Sequence, residues 1–173
     1  MDFREAFLRA VTSYCSRPEH ETPFPMPAGD PELCVAAPFW YGRFNAETAT
    51  QASLAFFRGQ GKEGQRVIAR KAIKIFKAVQ NDPVFWDTFT EKMLSHANKE
   101  KQGPLYHANR YSSLAGGVLV QTLEGARTNR VSALELGHIA INSYEDLDKY
   151  QKGKVARKIV KAYFANLEKN GAK

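Results

Sequence analysis

The sequence predicts an all-α protein. It reads as a single compact helical domain over residues 1–173, with about six to eight helices and a proline-rich, partly irregular extension near residues 16–44. Three observations lead there. Apolar residues recur at helical spacing in several separate stretches. Most of those stretches open on a capping signal. The breaks between them are rich in proline or glycine. A chain of this length can bury one core without staples.

The first helix runs from Asp2 to Cys15. Asp2 and Glu5 form a D-x-x-E variant of the capping box, and Phe3, Phe7, Val11 and Tyr14 share one face. Pro18 closes it. Prolines then recur at 23, 25, 27 and 31, fixing φ and removing donors, so the segment is extended and belongs to neither a helix nor a central strand. It is a packed connector or an arm, and Phe24 and Met26 are the residues such an arm would present to a partner. Leu33 to Ala37 suits a short strand or one helical turn. Phe39 to Phe44 is the densest aromatic cluster of the chain. It caps one end of a helical core, or its Trp40 and Tyr41 serve as a stacking platform.

Asn45 caps a second helix, Ala46 to Arg58, with Ala52, Ala55 and Phe56 inward. Gly59, Gly61 and Gly64 mark the junction to a third, residues 62–80. The GQGKEG run lacks the spacing of a nucleotide-binding glycine loop. In this third helix Ile68, Ala72, Ile75, Phe76 and Val79 make a narrow apolar face, and Arg66, Arg70, Lys74 and Lys77 lie nearly opposite. Asp82-Pro83 starts the next helix, whose stripe is Phe85, Phe89, Met93 and Ala97, widened by Trp86. Residues 99–104 read as a polar break. Ser112 or Ser113 caps a helix to about Leu123, weakened by Gly116-Gly117. Ser132 and Glu135 form a capping box for a helix to about Ile141, and Ser143 offers a further start. The last helix, about Lys154 to Lys169, buries Val155, Ile159, Val160, Tyr163, Phe164 and Leu167. It keeps Lys154, Arg157, Lys158 and Lys161 on its other face. Residues 67–79 and 155–167 are expected to pack into one core.

The net charge of +7 is not evenly spread. Residues 62–80 hold six Lys/Arg against one acid, and residues 149–173 hold eight against one. Elsewhere acids outnumber bases. Clustered cations focus a field on an anionic partner in a way that scattered ones do not.

Catalytic and metal chemistry find little support. His20, His96, His107 and His138 show no metal-helix spacing, and His138 reads as a core or boundary histidine. Cys15 and Cys34 are too few for a disulfide framework or a thiolate metal site and read as reduced thiols of a cytoplasmic protein. No catalytic residue, metal or cofactor is therefore assigned. A metal-free ribonuclease using Tyr106, His107 and Arg110, with His107 as general base, is the weakest of the readings considered. No apolar run approaches the ~20 residues of a membrane span, and the charged N-terminus does not resemble a signal peptide.

The pattern favours a nucleic-acid-binding protein without sequence preference, RNA rather than DNA, as a subunit of a nucleoprotein assembly. The expected interface comprises Arg66, Arg70, Lys71, Lys74, Lys77, Arg110, Arg127, Arg130, Lys154, Arg157, Lys158 and Lys161. Trp40, Tyr41, Tyr106 and Tyr111 are its stacking candidates. Ser132 to Tyr150 could bend into a helix-turn-helix, but its second half, SYEDLDKYQ, is acidic where a DNA-reading helix needs to be basic. The alternative reading is a protein-interaction or regulatory subunit that self-associates or joins a larger complex through the arm.

Overall fold

Asp2 accepts the Glu5 backbone N–H on its Oδ1 at 2.9 Å, and helix α1, Phe3–Cys15, follows from that cap. The computed structural model describes residues 1–15, 46–102 and 133–171. Among them the chain forms five further helices and no strand. These are α2 (Ala46–Gly59), α3 (Lys62–Lys77), α4 (Pro83–Gln102), α5 (Ala133–Asp146) and α6 (Lys149–Gly171). The all-α class is thus what the chain adopts. The proline-rich segment, the strand-or-turn at residues 33–37, the Asn45 cap, the helix at residues 112–123 and the Ser132 capping box lie outside the described residues.

The chain groups into two compact units, Met1–Asn81 and Asp82–Lys173. In the first, α1 packs along α3 and also against α2. Phe3, Phe7, Val11 and Tyr14 are all buried, as their spacing predicts. Rings meet edge-on across both interfaces. Phe3 and Phe76 have centroids 5.5 Å apart at 77°, and Phe7 and Phe57 are 5.5 Å apart at 73°. That geometry places the positive edge of one ring on the negative face of the other.

Helix α2 turns a different face inward than its sequence suggests. Phe56 is buried but Ala52 is only half-buried and Ala55 is exposed, while Ala49, Ser53, Leu54 and Phe57 join the core. The large apolar residues Leu54 and Phe57 set the rotation, because they have more surface to remove from water than two alanines.

Helix α3 begins at Gly61, which supplies no side-chain cap. One turn in, Gly64 leaves room for a side chain of α1: a Cβ there would stand 2.7 Å from the Tyr14 hydroxyl oxygen. Gln65 is buried, although polar, because its Nε2 donates to the carbonyl oxygens of Phe57 at 3.0 Å and Arg58 at 3.4 Å. Those carbonyls lie in the last turn of α2, where regular helical partners run out, and the Phe57 oxygen also accepts the Gln60 N–H at 3.2 Å.

In the second unit α4 packs against both α5 and α6. Asp82 starts it. Its Oδ1 accepts the Phe85 N–H at 3.2 Å, and its Oδ2 accepts the Tyr163 hydroxyl of α6 at 2.6 Å. One buried carboxyl therefore caps a helix and pins another to it. Further along, Asn166 Nδ2 donates to Thr88 Oγ1 at 3.0 Å. Phe85, Phe89 and Met93 are fully buried, and Trp86 is half-buried with its ring 5.2 Å from Phe85 and 5.8 Å from Phe89.

Two expected breaks are absent. Helix α4 continues through residues 99–102, since lysine, glutamate and glutamine favour helix; the last two residues of the expected break, 103–104, lie outside the described residues. Helix α5 runs past Ser143, which is buried within it rather than capping a new one. Its apolar stripe of Ala140, Ile141 and Tyr144 carries straight across that position. The restart comes at Asp148, whose Oδ1 accepts the Gln151 N–H at 2.8 Å while Gln151 Oε1 accepts the Asp148 N–H at 3.4 Å. That reciprocal pair is a capping box of D-x-x-Q form, so α6 begins several residues before Lys154.

Within the first unit α3 packs on α1 and α2, and within the second α6 packs on α4 and α5.

Candidate nucleic-acid interface

Helix α3 buries Gln65, Ile68, Ala69, Ala72, Ile73 and Phe76. Ile75 is only half-buried, and Val79, beyond the helix end, is 39 % exposed. The buried arc is therefore broader than the sequence stripe and rotated toward Ala69 and Ile73, because two helices rather than one pack on it. That rotation brings the cations to its border. Arg66, expected in solvent, has a side chain only 11 % exposed and pairs with Glu63 at 3.2 Å. Arg70 and Lys77 are half-buried as well. Lys71 reaches across to donate a hydrogen bond to the Ser13 hydroxyl of α1. Of the five predicted interface cations on this helix, Lys74 alone is fully exposed.

Helix α6 treats its cations otherwise. Lys154, Lys158 and Lys161 are all exposed, while Arg157 is half-buried with its Nε shielded from water and lacking a partner among the described residues. The apolar residues Val155, Ile159, Val160, Tyr163 and Phe164 fill the core as predicted, and Leu167 is half-buried. Tyr150 stands one turn before Lys154. It is 55 % exposed, the one large ring so exposed among the described residues, and the Lys154 ammonium lies 4.6 Å from its ring centroid. Tyr150, Lys154, Lys158 and Lys161 form a single stripe along roughly 16 Å of helix.

Beside this stripe a groove of about 340 Å³ opens between α4 and α6, lined by Lys92, Ser95 and His96 of α4 and by Lys158, Lys161 and Ala162 of α6. Nothing in the sequence alone gives Lys92, Ser95, His96 or Tyr150 a binding role. Lys92, Ser95 and His96 follow one another at i, i+3 and i+4, a spacing that marks a common polar face. Only the packing of α4 on α6 turns that face toward the lysines. Tyr150 was hidden by the acids that precede it.

The remaining predicted residues, Arg110, Arg127, Arg130, Trp40, Tyr41, Tyr106, Tyr111, Phe24 and Met26, lie outside the described residues, as do His20, His107 and Cys34. His138 is exposed rather than a core or boundary residue. Burial pushes the Cys15 thiol up to about 11, against a smaller opposing effect of a backbone hydrogen bond. A thiol of that kind is a poor nucleophile at neutral pH. Among the described residues no group of three His, Cys, Asp or Glu side chains comes together to hold a metal ion, and no helix is long and apolar enough to cross a membrane.

No protein-family model matches the chain, and no curated protein or solved structure shows significant similarity to it.

Proposed function

We propose that this protein binds RNA without sequence preference, and that the exposed stripe of α6 is the contact surface. The observation that carries the reading is the row Tyr150, Lys154, Lys158 and Lys161, three exposed ammonium groups in line with one exposed ring. Ammonium groups along an open helix face neutralise successive phosphates and release their counterions. A ring presented at the end of the row offers an unpaired base a surface to stack on, which duplex does not need. Lysine acts here as a point charge without the planar fork that reads base edges, so the binding follows backbone charge rather than sequence.

Fluorescence-anisotropy titrations against short single-stranded RNA and an RNA duplex, at two salt concentrations, test the reading. Replacing Lys154, Lys158 and Lys161 by Gln lowers affinity about equally across sequences and reduces the salt slope by ~0.7 for each lost contact on a single strand. Replacing Tyr150 by Ala weakens single-strand binding by ~1–3 kcal/mol and leaves duplex binding unchanged. A wild-type affinity no tighter than ~10⁻⁴ M at low salt, below ordinary non-specific contact, would rule the function out.

A further inference from the structure

We infer that Arg157 of α6 is the anchor of the RNA contact: its guanidinium fork grips one backbone phosphate, and Lys154 and Lys161 supply charge on either side. This rests on the RNA reading for the source of the phosphate, whereas the chemistry of the grip comes from the side chain itself.

Arg157 is half-buried, and its Nε is shielded from water without a hydrogen-bond partner. A buried donor left unpaired costs free energy, and native chains keep few of them. Arg66 of α3 also has an unpaired Nε, but its Nη1 donates to the Glu63 carboxylate at 3.2 Å. Among the described residues neither Arg157 nor Lys161 has an ion pair, and Lys154 meets the Tyr150 ring alone. Lys158, beside them, has interactions of its own and is not needed for the grip.

Lys154 stands three residues before Arg157 and Lys161 four after it, so the three share one helix face over about 10 Å of axis. Arg157 follows Gly153 and precedes Val160 by about one turn, and both of these are buried. It therefore sits at the edge of the core, where an arginine stem lies along apolar surface while its head turns to water. Rotation of the terminal torsions presents Nε and one Nη together, two parallel donors that match two oxygens of a phosphate. A lysine ammonium is a point charge and lacks that fork. One fork between two point charges suits a polyanion with charges in succession, which a strand backbone provides at every nucleotide. A single carboxylate would satisfy the fork and leave both lysines unpaired. Because the unpaired donor is relieved only by the ligand, Arg157 weakens the free protein and strengthens the complex.

Two substitutions in the full chain test this. Arg157→Lys keeps the charge and removes the fork; Arg157→Met removes the charge and the unpaired donor but keeps an apolar stem. In anisotropy titrations with a single-stranded oligouridine, Arg157→Lys is expected to bind about tenfold more weakly with the salt slope unchanged. Arg157→Met is expected to bind more weakly still, with the slope reduced by ~0.7. Its denaturation midpoint is expected to equal or exceed that of the wild type, which an arginine holding the fold together would not allow. Equal RNA affinity of the wild type and Arg157→Lys overturns the anchor and leaves the RNA reading in place. A midpoint lowered in both variants assigns Arg157 to the fold and overturns the anchor as well. Poly-glutamate of matched length bound more tightly than the oligouridine overturns the phosphate assignment in favour of an acidic protein. If the wild type binds no RNA but binds inorganic pyrophosphate by phosphorus NMR, and Arg157→Lys abolishes it, the grip stands for small phosphates and the RNA reading falls. Binding of neither overturns both.

Discussion

Helices α3 and α6 carry the same pattern of apolar and cationic residues, yet their cations end in different circumstances. On α3, Arg66 is nearly buried beside Glu63 and Lys71 is held by Ser13 of a neighbouring helix. On α6, Lys154, Lys158 and Lys161 face water. Each helix packs on two neighbours of its own unit, α3 on α1 and α2, α6 on α4 and α5, so the difference lies in where the cations fall relative to the buried arc. On α3, Arg66 borders that arc and Lys71 reaches to α1. On α6, Lys154, Lys158 and Lys161 fall on the exposed side of it. A charge pattern in a sequence thus tells which side of a helix is basic, but packing decides whether that side is structural or available.

The largest effect expected from testing this contrast concerns the two cores. Phe76→Ala in the first unit and Phe89→Ala in the second each remove a fully buried ring and cost about 3–5 kcal/mol. Hydrogen exchange is expected to show each loss confined to its own unit. Protection lost across both from either substitution would show that they unfold as one cooperative body.

A smaller effect is expected at Asp82. Tyr163→Phe deletes the hydroxyl that donates to Asp82 Oδ2 at 2.6 Å and leaves a buried carboxyl oxygen short of a partner. It is expected to cost about 1–3 kcal/mol in chemical denaturation followed at the second unit. In the first unit the buried polar contact between helices is made by Gln65, whose Nε2 donates to the α2 carbonyls of Phe57 and Arg58, and Gln65→Met is expected to cost about 1 kcal/mol there.

The comparison of cations is sharpened most directly by Lys71→Met and Lys158→Met. The first removes the α3–α1 hydrogen bond and lowers stability by about 1 kcal/mol, without changing RNA affinity. On the function proposed above, the second is expected to leave stability within ~0.5 kcal/mol and to weaken RNA binding. The reverse assignment of the two phenotypes would mean that the α3 face is the interface.

The smallest effect is on pH dependence. Because burial raises the Cys15 thiol from 9.0 to about 11, the unfolded chain releases that proton first as pH rises. The stabilisation is fully present below pH 9.0 and is lost progressively towards pH 11. In a Cys34→Ser background, alkylation of Cys15 is expected to stay slow at pH 8 and to accelerate only as pH approaches 11.

Much of the helical framework could be read from the residues themselves. Asp2 with Glu5 and Asp82 with Pro83 announce their helices because capping is local chemistry, settled within a few residues. Phe3, Phe7, Val11 and Tyr14 report a buried face because nothing but α-helix would align them. Residues 99–102 and Ser143 resemble breaks in the sequence but continue their helices, because only glycine and proline impose a backbone penalty. The site was less legible. Lys154, Lys158 and Lys161 were visible as a basic face, but Lys92, Ser95 and His96 acquire meaning only through contacts between helices distant in sequence. Arg66 and Lys71 looked available for the complementary reason, since a wheel drawn for one helix does not show how many neighbours will share its surface.

Trp86, wedged half-buried between Phe85 and Phe89, has an optical consequence. The chain has two tryptophans, Trp40 and Trp86, so a Trp40→Phe variant leaves one fluorophore, seated where α4 begins. Its emission is set by the water that reaches the indole, and it shifts to the red as the Phe85 and Phe89 rings separate from it. The second unit thereby carries its own reporter, able to follow its unfolding without an attached dye.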